Sequence, residues 1–248
     1  MTVEPRHVVC VLGTWKKFDA VERVIAEIGG DGFRLDTEYS QLEPDERMSR
    51  AFDASADRVE PSITKADEAV IAKHHAVAYI LSPPLPAATA VAASTRMLAI
   101  IDALLSAGAL AVKSESAGVA HGAARWRELA KRGRKKDLLE RTNALRLAFV
   151  RRPIGDDDGT LYSCGMHLLG ERDIELDASD DVQADIGWID LLAVYLLAEK
   201  PERGVKEGEG FRREDAGERR VLRALPCKRY ESDDFFYNPY GYWRLVSS

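Results

Sequence analysis

Residues 76–113 read AVAYILSPPLPAATAVAASTRMLAIIDALLSAGALAVK, and this stretch decides the fold. Ala76–Leu81 predicts a buried strand, because a short apolar run ends there at consecutive prolines that cannot donate ladder hydrogen bonds. Residues 87–106 predict an alanine-rich helix whose end is marked by Gly108. Since residues 109–113 return to the pattern of a strand, the stretch is a strand-helix-strand unit.

A similar unit lies earlier in the chain. Residues 7–12 form a β-branched run that stops at Gly13, which predicts a first strand. From Phe18 the apolar positions recur every three or four residues as far as a glycine pair, and residues 33–39 alternate apolar with polar side chains. Two such units in succession predict an α+β fold whose first lobe is ferredoxin-like, with helices on one face of its sheet.

Residues 120–142 predict a basic helical region broken at Gly133. We therefore place one α+β lobe at residues 1–132 and a second at 133–248, packed together as one compact unit with mixed or antiparallel sheets. The second lobe is predicted from its own pattern of apolar runs, turns and one amphipathic helix. Its expected strands are residues 145–151, 161–164, 174–176, 221–225 and 242–246, and its expected helix is residues 185–198.

Composition narrows the function classes. The net charge of -6 argues against sequence-independent nucleic-acid binding, which depends mainly on basic side chains at phosphates. The three cysteines are odd in number and widely spaced, as in proteins of a reducing compartment. The longest apolar stretch, residues 87–112, contains Arg96 and Asp102, so crossing a bilayer would bury charge. We expect a cytoplasmic protein that binds neither nucleic acid nor membrane.

Four residues are candidates for catalysis, because histidine, cysteine and glutamate carry acid-base and nucleophilic chemistry: Glu115, His121, Cys164 and His167. Their spacing lacks the paired ligands of zinc ribbons and fingers, so we predict no metal site. The glycine clusters at residues 29–32 and 204–210 lack the strand, spacing and helix order of nucleotide loops. We therefore also predict no cofactor.

A partner-binding surface is the other candidate site. Acidic loops suit a basic protein partner such as a toxin, because complementary fields raise association rates. Residues 226–244, here called the aromatic segment, concentrate tyrosine, phenylalanine and tryptophan. Such side chains either pack the end of the core or form a recognition patch. The predicted partner-binding residues are Asp156, Asp157, Asp158, Asp180, Asp181, Tyr237 and Tyr240.

Several short motifs of the second lobe resemble a bacterial family named domain of unknown function 4261. They are Tyr162-Ser-Cys-Gly-Met166, Gly170-Glu171, Ile174-Glu-Leu176, a helix ending near Glu199, and Gly208-Glu-Gly-Phe211. Residues 108–113 and 118–121 resemble the upstream strand and histidine-containing loop of that family. The chain departs from the family at Lys113-Ser-Glu115, where relatives commonly have tryptophan. The resemblance implies a bacterial source and an immunity or toxin-neutralising context, and it supplies no catalytic residues.

Together these features predict a protein-binding module of the immunity or antitoxin type. The alternative is an enzyme of unknown reaction with its site in a cleft between the lobes. A third interpretation is an oligomeric structural component. The oligomeric state is left open by the sequence.

Overall fold

The computed structural model describes residues 4–213 and 217–247, which form two sheets. The strands of the first sheet are β1 (Val8–Gly13), β2 (Arg34–Gln41), β3 (Ala76–Leu81), β4 (Ala109–Ser114) and β5 (Val119–Gly122). Their order is β2-β3-β1-β4-β5, and every neighbouring pair is antiparallel.

The second sheet has six strands in this part of the chain. They are β6 (Ile154–Gly155), β7 (Thr160–Tyr162), β8 (Asp173–Asp177), β9 (Gly210–Arg212), β10 (Arg219–Leu225) and β11 (Tyr242–Ser247). Their order is β6-β7-β8-β11-β10-β9, in which β8 and β11 are parallel and the other pairs antiparallel. The second sheet is therefore mixed.

Seven α-helices lie within the described residues. They are α1 (Asp19–Val24), α2 (Arg47–Asp53), α3 (Lys65–Ile71), α4 (Ala87–Ser106), α5 (Ala123–Gly133), α6 (Leu138–Phe149) and α7 (Val182–Ala198). A π-helical turn, Ile25–Gly29, continues α1, and 3-10 turns lie at Ala56–Arg58 and Met166–Leu169.

The predicted α+β class with two sheet-and-helix lobes is confirmed. In the first lobe, β1, α1 and β2 are followed by β3, α4 and β4, and the strand order β2-β3-β1-β4 is that of a ferredoxin-like sheet. Two short helices replace the tight hairpin between β2 and β3, and β5 extends the sheet beyond β4.

Helices cover both faces of the first sheet, which differs from the expected cover on one face. All six residues of β1 are buried. Because side chains alternate along a strand, Val9 and Val11 join the cluster that contains α4, whereas Cys10 and Leu12 join a second cluster with Phe52 of α2. The sequence predicts short helices after Pro44 and Thr64, which α2 and α3 confirm, but their weak pattern does not indicate that they cover the second face.

The strand predicted at residues 145–151 is wrong, because most of these residues belong to α6. The Asp137 side chain accepts a hydrogen bond from the backbone of Glu140 and caps the helix start. Leu145, Ala148 and Phe149 are buried at three- and four-residue spacing. A short apolar run fits both a strand and a buried helix turn, and the cap upstream decides between them.

The predicted lobe boundary at residues 132 and 133 falls at the end of α5. The largest apolar cluster contains residues from both sides of it, including Val11 and Leu98 as well as Leu176 and Trp188. Helix α4 contacts α5, α6 and the 3-10 turn Met166–Leu169. The apolar interior is therefore shared between the two sheets.

Among the described helices, α4 is the one that is long and apolar enough to span a bilayer by length and composition. Its buried residues, among them Met97, Ile100 and Leu104, lie in the shared core. Packing against the first sheet and α5 accounts for this hydropathy.

Candidate functional site

A groove of about 700 Å³ lies on the face of the first sheet that α2 covers only in part. Its floor follows from the strand registers: Val8 is opposite Leu81, and Cys10 is opposite both Tyr79 and Lys113. Residues that are directly opposite in neighbouring strands share a face, so these side chains lie on one surface. Helix α2 covers part of that surface, and the uncovered remainder forms the groove, whose lining is mostly apolar.

Two exposed aromatic side chains line the groove. Tyr39 of β2 is 65% exposed, and Phe235 of the aromatic segment is 51% exposed. Most of the large apolar side chains of the described residues are buried, so two exposed rings around one cavity are unusual. Because Phe235 belongs to the second lobe, the groove lies between the two lobes.

Neutral groups underlie the groove. Burial raises the pKa of the Cys10 thiol to about 12, and the negative charge of Glu115 adds to the effect. Burial likewise raises the pKa of the Tyr79 hydroxyl, with Cys10 and Glu115 contributing. Both groups are protonated at neutral pH. The floor therefore offers an apolar contact surface, and Cys10 does not present a thiolate.

The charged groups of the groove are partly neutralised. Lys113 forms an ion pair with Glu115 at 2.6 Å, and Arg47 pairs with Asp45 at 2.8 Å. The Asp36 carboxylate accepts hydrogen bonds from the backbone of Glu38 and Tyr39, at the register shift of β2 that carries Tyr39. Arg6 also lines the cavity, and its guanidinium makes no hydrogen bond or ion pair with the described residues.

Of the four catalytic candidates, only Glu115 lines the groove. His121 is buried in β5, with Nε2 3.3 Å from the Leu147 carbonyl oxygen and its ring against Trp126. Burial lowers the pKa of His121 to about 4, so the ring is neutral at pH 7.

Cys164 and His167 lie on either side of Gly165, between β7 and β8, and both are buried. Burial raises the pKa of Cys164 to about 12 and lowers that of His167 to about 4. Within the described part of the chain, no hydrogen bond or ion pair links any two of the four candidates. The same residues contain no group of three or more His, Cys, Asp or Glu side chains arranged to hold a metal ion.

Most of the predicted acidic surface is engaged locally. Asp156 pairs with Arg229 at 2.6 Å, Asp158 accepts from the backbone of Thr160 at 2.9 Å, and Asp181 caps α7. Asp157 and Asp180 are exposed and form no hydrogen bond or ion pair with described residues. These two carboxylates are the ones left for a partner.

The aromatic segment divides between core and surface. Tyr242 and Trp243 are buried, whereas Tyr237 and Tyr240 are half-buried. The Tyr240 hydroxyl donates to the Leu85 carbonyl oxygen at 3.4 Å, which ties the segment to the start of α4. The segment therefore places some side chains in the core and others at the surface, and a recognition role for the latter stays a prediction.

Sequence reasoning missed Tyr39, Tyr79 and Arg6. The alternation of residues 33–39 places Tyr39 in phase with Phe33 and Leu35, which predicts a buried ring. In the structure the register of β2 shifts between Asp36 and Gln41, and Tyr39 is exposed. No local signal brings Phe235 to the first sheet, since that contact depends on how the two lobes pack.

Comparison of the chain with protein-family models, with curated proteins and with solved structures finds no match in any of the three. The resemblance to domain of unknown function 4261 therefore stays a prediction.

Proposed function

We propose that this protein is a protein-binding module of the immunity or antitoxin type, and that its groove receives an apolar side chain of a basic partner protein. The observation that carries the proposal is the pair of exposed rings, Tyr39 and Phe235, around a mostly apolar cavity between the lobes. Aromatic anchors that enter desolvated pockets supply much of the affinity of protein interfaces.

The groove suits a partner because its components are held in place before binding. The Asp36 carboxylate holds the backbone of β2 at Tyr39, and β1 and β3 hold the floor through their antiparallel register. A preorganised surface loses less conformational entropy on binding. Arg6 supplies one unpaired cation beside the rings, which suits a backbone carbonyl or a carboxylate next to the inserted side chain.

Charge favours a basic partner. The net charge is -6, and Asp157 and Asp180 are exposed without described counterions. The electrostatic field of a negatively charged protein raises the association rate of a cationic partner, and added salt weakens this effect. The proposal includes a cytoplasmic location, where Cys10, Cys164 and Cys227 stay reduced.

The alternative of an enzyme with a cleft between the lobes keeps one supporting feature, the position of Glu115 and Lys113 in the groove. Its other three candidate residues are buried elsewhere. The proposal of a binding module therefore explains more of the side chains that line the groove.

The test measures the affinity of the full chain for the purified products of the genes beside its own. The variant Tyr39→Ser, Phe235→Ser removes both rings, and Leu139→Ser is the control, because Leu139 is 50% exposed outside the groove. We expect one basic product to bind, the double variant to weaken it by roughly tenfold or more, and the control to leave it unchanged. Equal binding by all three chains, or no binding to any product, contradicts the proposal.

A further inference from the structure

Arg151 is a buried arginine that lacks an anion. It follows α6 and is 3% exposed. Its Nε donates to the Ala117 carbonyl oxygen at 2.6 Å, and its guanidinium lies 3.8 Å from the centre of the Phe236 ring. Its Nη2 is buried and has no hydrogen-bond partner among the described residues.

Other largely buried arginines of the chain have carboxylate partners. Arg146 pairs with Asp190 at 2.6 Å. Arg229 pairs with Asp156 at 2.6 Å and with Glu175 at 3.1 Å. Arg151 forms no ion pair with a described carboxylate, so its charge is compensated only by a carbonyl oxygen and the face of a ring. A buried charge is expensive without a partner of opposite sign, which indicates that a partner comes from outside the chain.

A second guanidinium converges on the same place. Nη1 of Arg58 is 2.5 Å, and Nη2 of Arg151 is 2.8 Å, from the point where a Cβ on Gly118 would stand. The two nitrogens are therefore no farther apart than the sum of these distances, which lets one oxygen or two adjacent oxygens accept from both. Gly118 has φ +61°, and its lack of a side chain lets the two guanidiniums approach the backbone and each other this closely.

The neighbouring groups do not neutralise the two arginines. Burial lowers the pKa of Arg58, and the positive charge of Arg151 lowers it further. The only ion pair of Arg58 with a described carboxylate is with Asp57, at 3.9 Å, and Asp57 is 84% exposed. The His167 ring faces Arg151 and is neutral at pH 7, because burial lowers its pKa to about 4. The pair also faces the Cys164 thiol and the Tyr230 hydroxyl. Burial raises the pKa of both, so they are neutral at pH 7.

We propose that Arg58 and Arg151 form a binding site for a small oxyanion, either an inorganic or esterified phosphate or a carboxylate. The oxyanion accepts hydrogen bonds from both guanidiniums beside Gly118 and enters past the partly exposed side chain of Arg58. The planar forks of two arginines match oxyanions of this kind bidentately. The site is separate from the groove, whose lining contains neither arginine.

The test titrates sodium phosphate, sodium sulfate and sodium acetate into the full chain at constant ionic strength and measures heat of binding and Tm. Arg58→Gln removes one guanidinium at a partly exposed position. Arg23→Gln is the control, because Arg23 is exposed and the net charge changes equally. A third variant, Arg151→Lys, keeps the buried charge and loses the planar fork.

We expect saturable binding of at least one of the three anions at one per chain, with a matching rise in Tm. Arg58→Gln and Arg151→Lys should weaken binding by about tenfold or more, and Arg23→Gln should bind as the unchanged protein does. Preference for phosphate and sulfate over acetate assigns the site to phosphoryl-type groups, and the reverse preference assigns it to carboxylates. Absence of saturable binding for all three anions, or equal affinity in Arg58→Gln and Arg23→Gln, overturns the proposal.

Discussion

Lowering the pH from 7 to 5 should destabilise this protein strongly, because three histidines are buried in neutral form. Burial lowers the pKa of His7 to about 3, with a smaller contribution from the nearby His167. It lowers the pKa of His121 and of His167 to about 4. In the unfolded chain all three titrate near 6.5, so the unfolded state binds more protons across this interval. The stability is therefore fully present above pH 6.5 and is lost as the pH falls toward the folded pKa values.

The magnitude follows from about 1.4 kcal/mol per pKa unit. A pH of 5 is about 1.5 units below the unfolded pKa of each histidine, whereas each ring is still neutral in the folded state. The difference lowers the free energy of unfolding by about 2 kcal/mol per residue. Asp173 acts in the opposite direction, because burial raises its pKa to about 6. Its carboxylate takes up a proton in the folded state as the pH falls from 7 to 5, which raises the free energy of unfolding by roughly 1 kcal/mol. The expected net loss is about 4 to 5 kcal/mol.

The assay is urea unfolding at pH 7, 6 and 5 in a buffer of constant ionic strength. The single variant His167→Gln cannot titrate at this position, so its loss between pH 7 and 5 should be about 2 kcal/mol smaller than that of the unchanged protein. His75→Gln is the matched control, because His75 is exposed. A free energy of unfolding that stays constant between pH 7 and 5, or an equal pH dependence in the two variants, would refute the assignment of neutral buried histidines.

Two further predictions concern a helix cap and the cysteines. Asp181→Ala removes the side chain that accepts from the backbone of Ala184 at the start of α7, so the free energy of unfolding should fall by about 1 kcal/mol, whereas Asp180→Ala should change it by less than about 0.5 kcal/mol. Equal effects in urea unfolding would show that the cap is not stabilising. Ellman's reagent should modify one thiol per native chain, that of the half-buried Cys227, and three in denaturant, because the other two cysteines are buried; rapid modification of three native thiols would contradict their burial.

The elements that were predicted correctly carry their signals locally. Ala76–Leu81 and Ala87–Ser106 have the predicted bounds, because prolines separate them and the apolar side chains of each follow the pattern of a single element. Strand β5 was missed, and residues 120–122 were predicted to be helical, since its four residues form a strand only by pairing with β4. The strand predicted at 145–151 shows the same limit, because its apolar run is helical through a cap at Asp137, eight residues before the run begins. The local periodicity of apolar residues therefore predicts single helices and strands well and predicts non-local strand pairing poorly.

The candidate sites depend almost wholly on non-local packing. Glu115 is the one predicted site residue that lines the groove, and it does so because β4 ends beside β1. Tyr39 and Phe235 come from opposite ends of the chain. Arg58 and Arg151 meet only because Gly118, in the turn after β4, gives both of them room. The sequence contains these residues without any spacing that relates them.

The two proposed sites share backbone segments, and this decides which variants separate them. The turn between β4 and β5 contributes Glu115 to the groove and the Ala117 carbonyl oxygen to Arg151. The aromatic segment contributes Phe235 to the groove and Phe236 to the face of Arg151. Substitution of Phe235 therefore leaves the ring over Arg151 in place, and substitution of Arg58 leaves the groove lining intact. Loss of partner binding in the first variant with anion binding retained, and the reverse in the second, would assign each function to its own side of these segments.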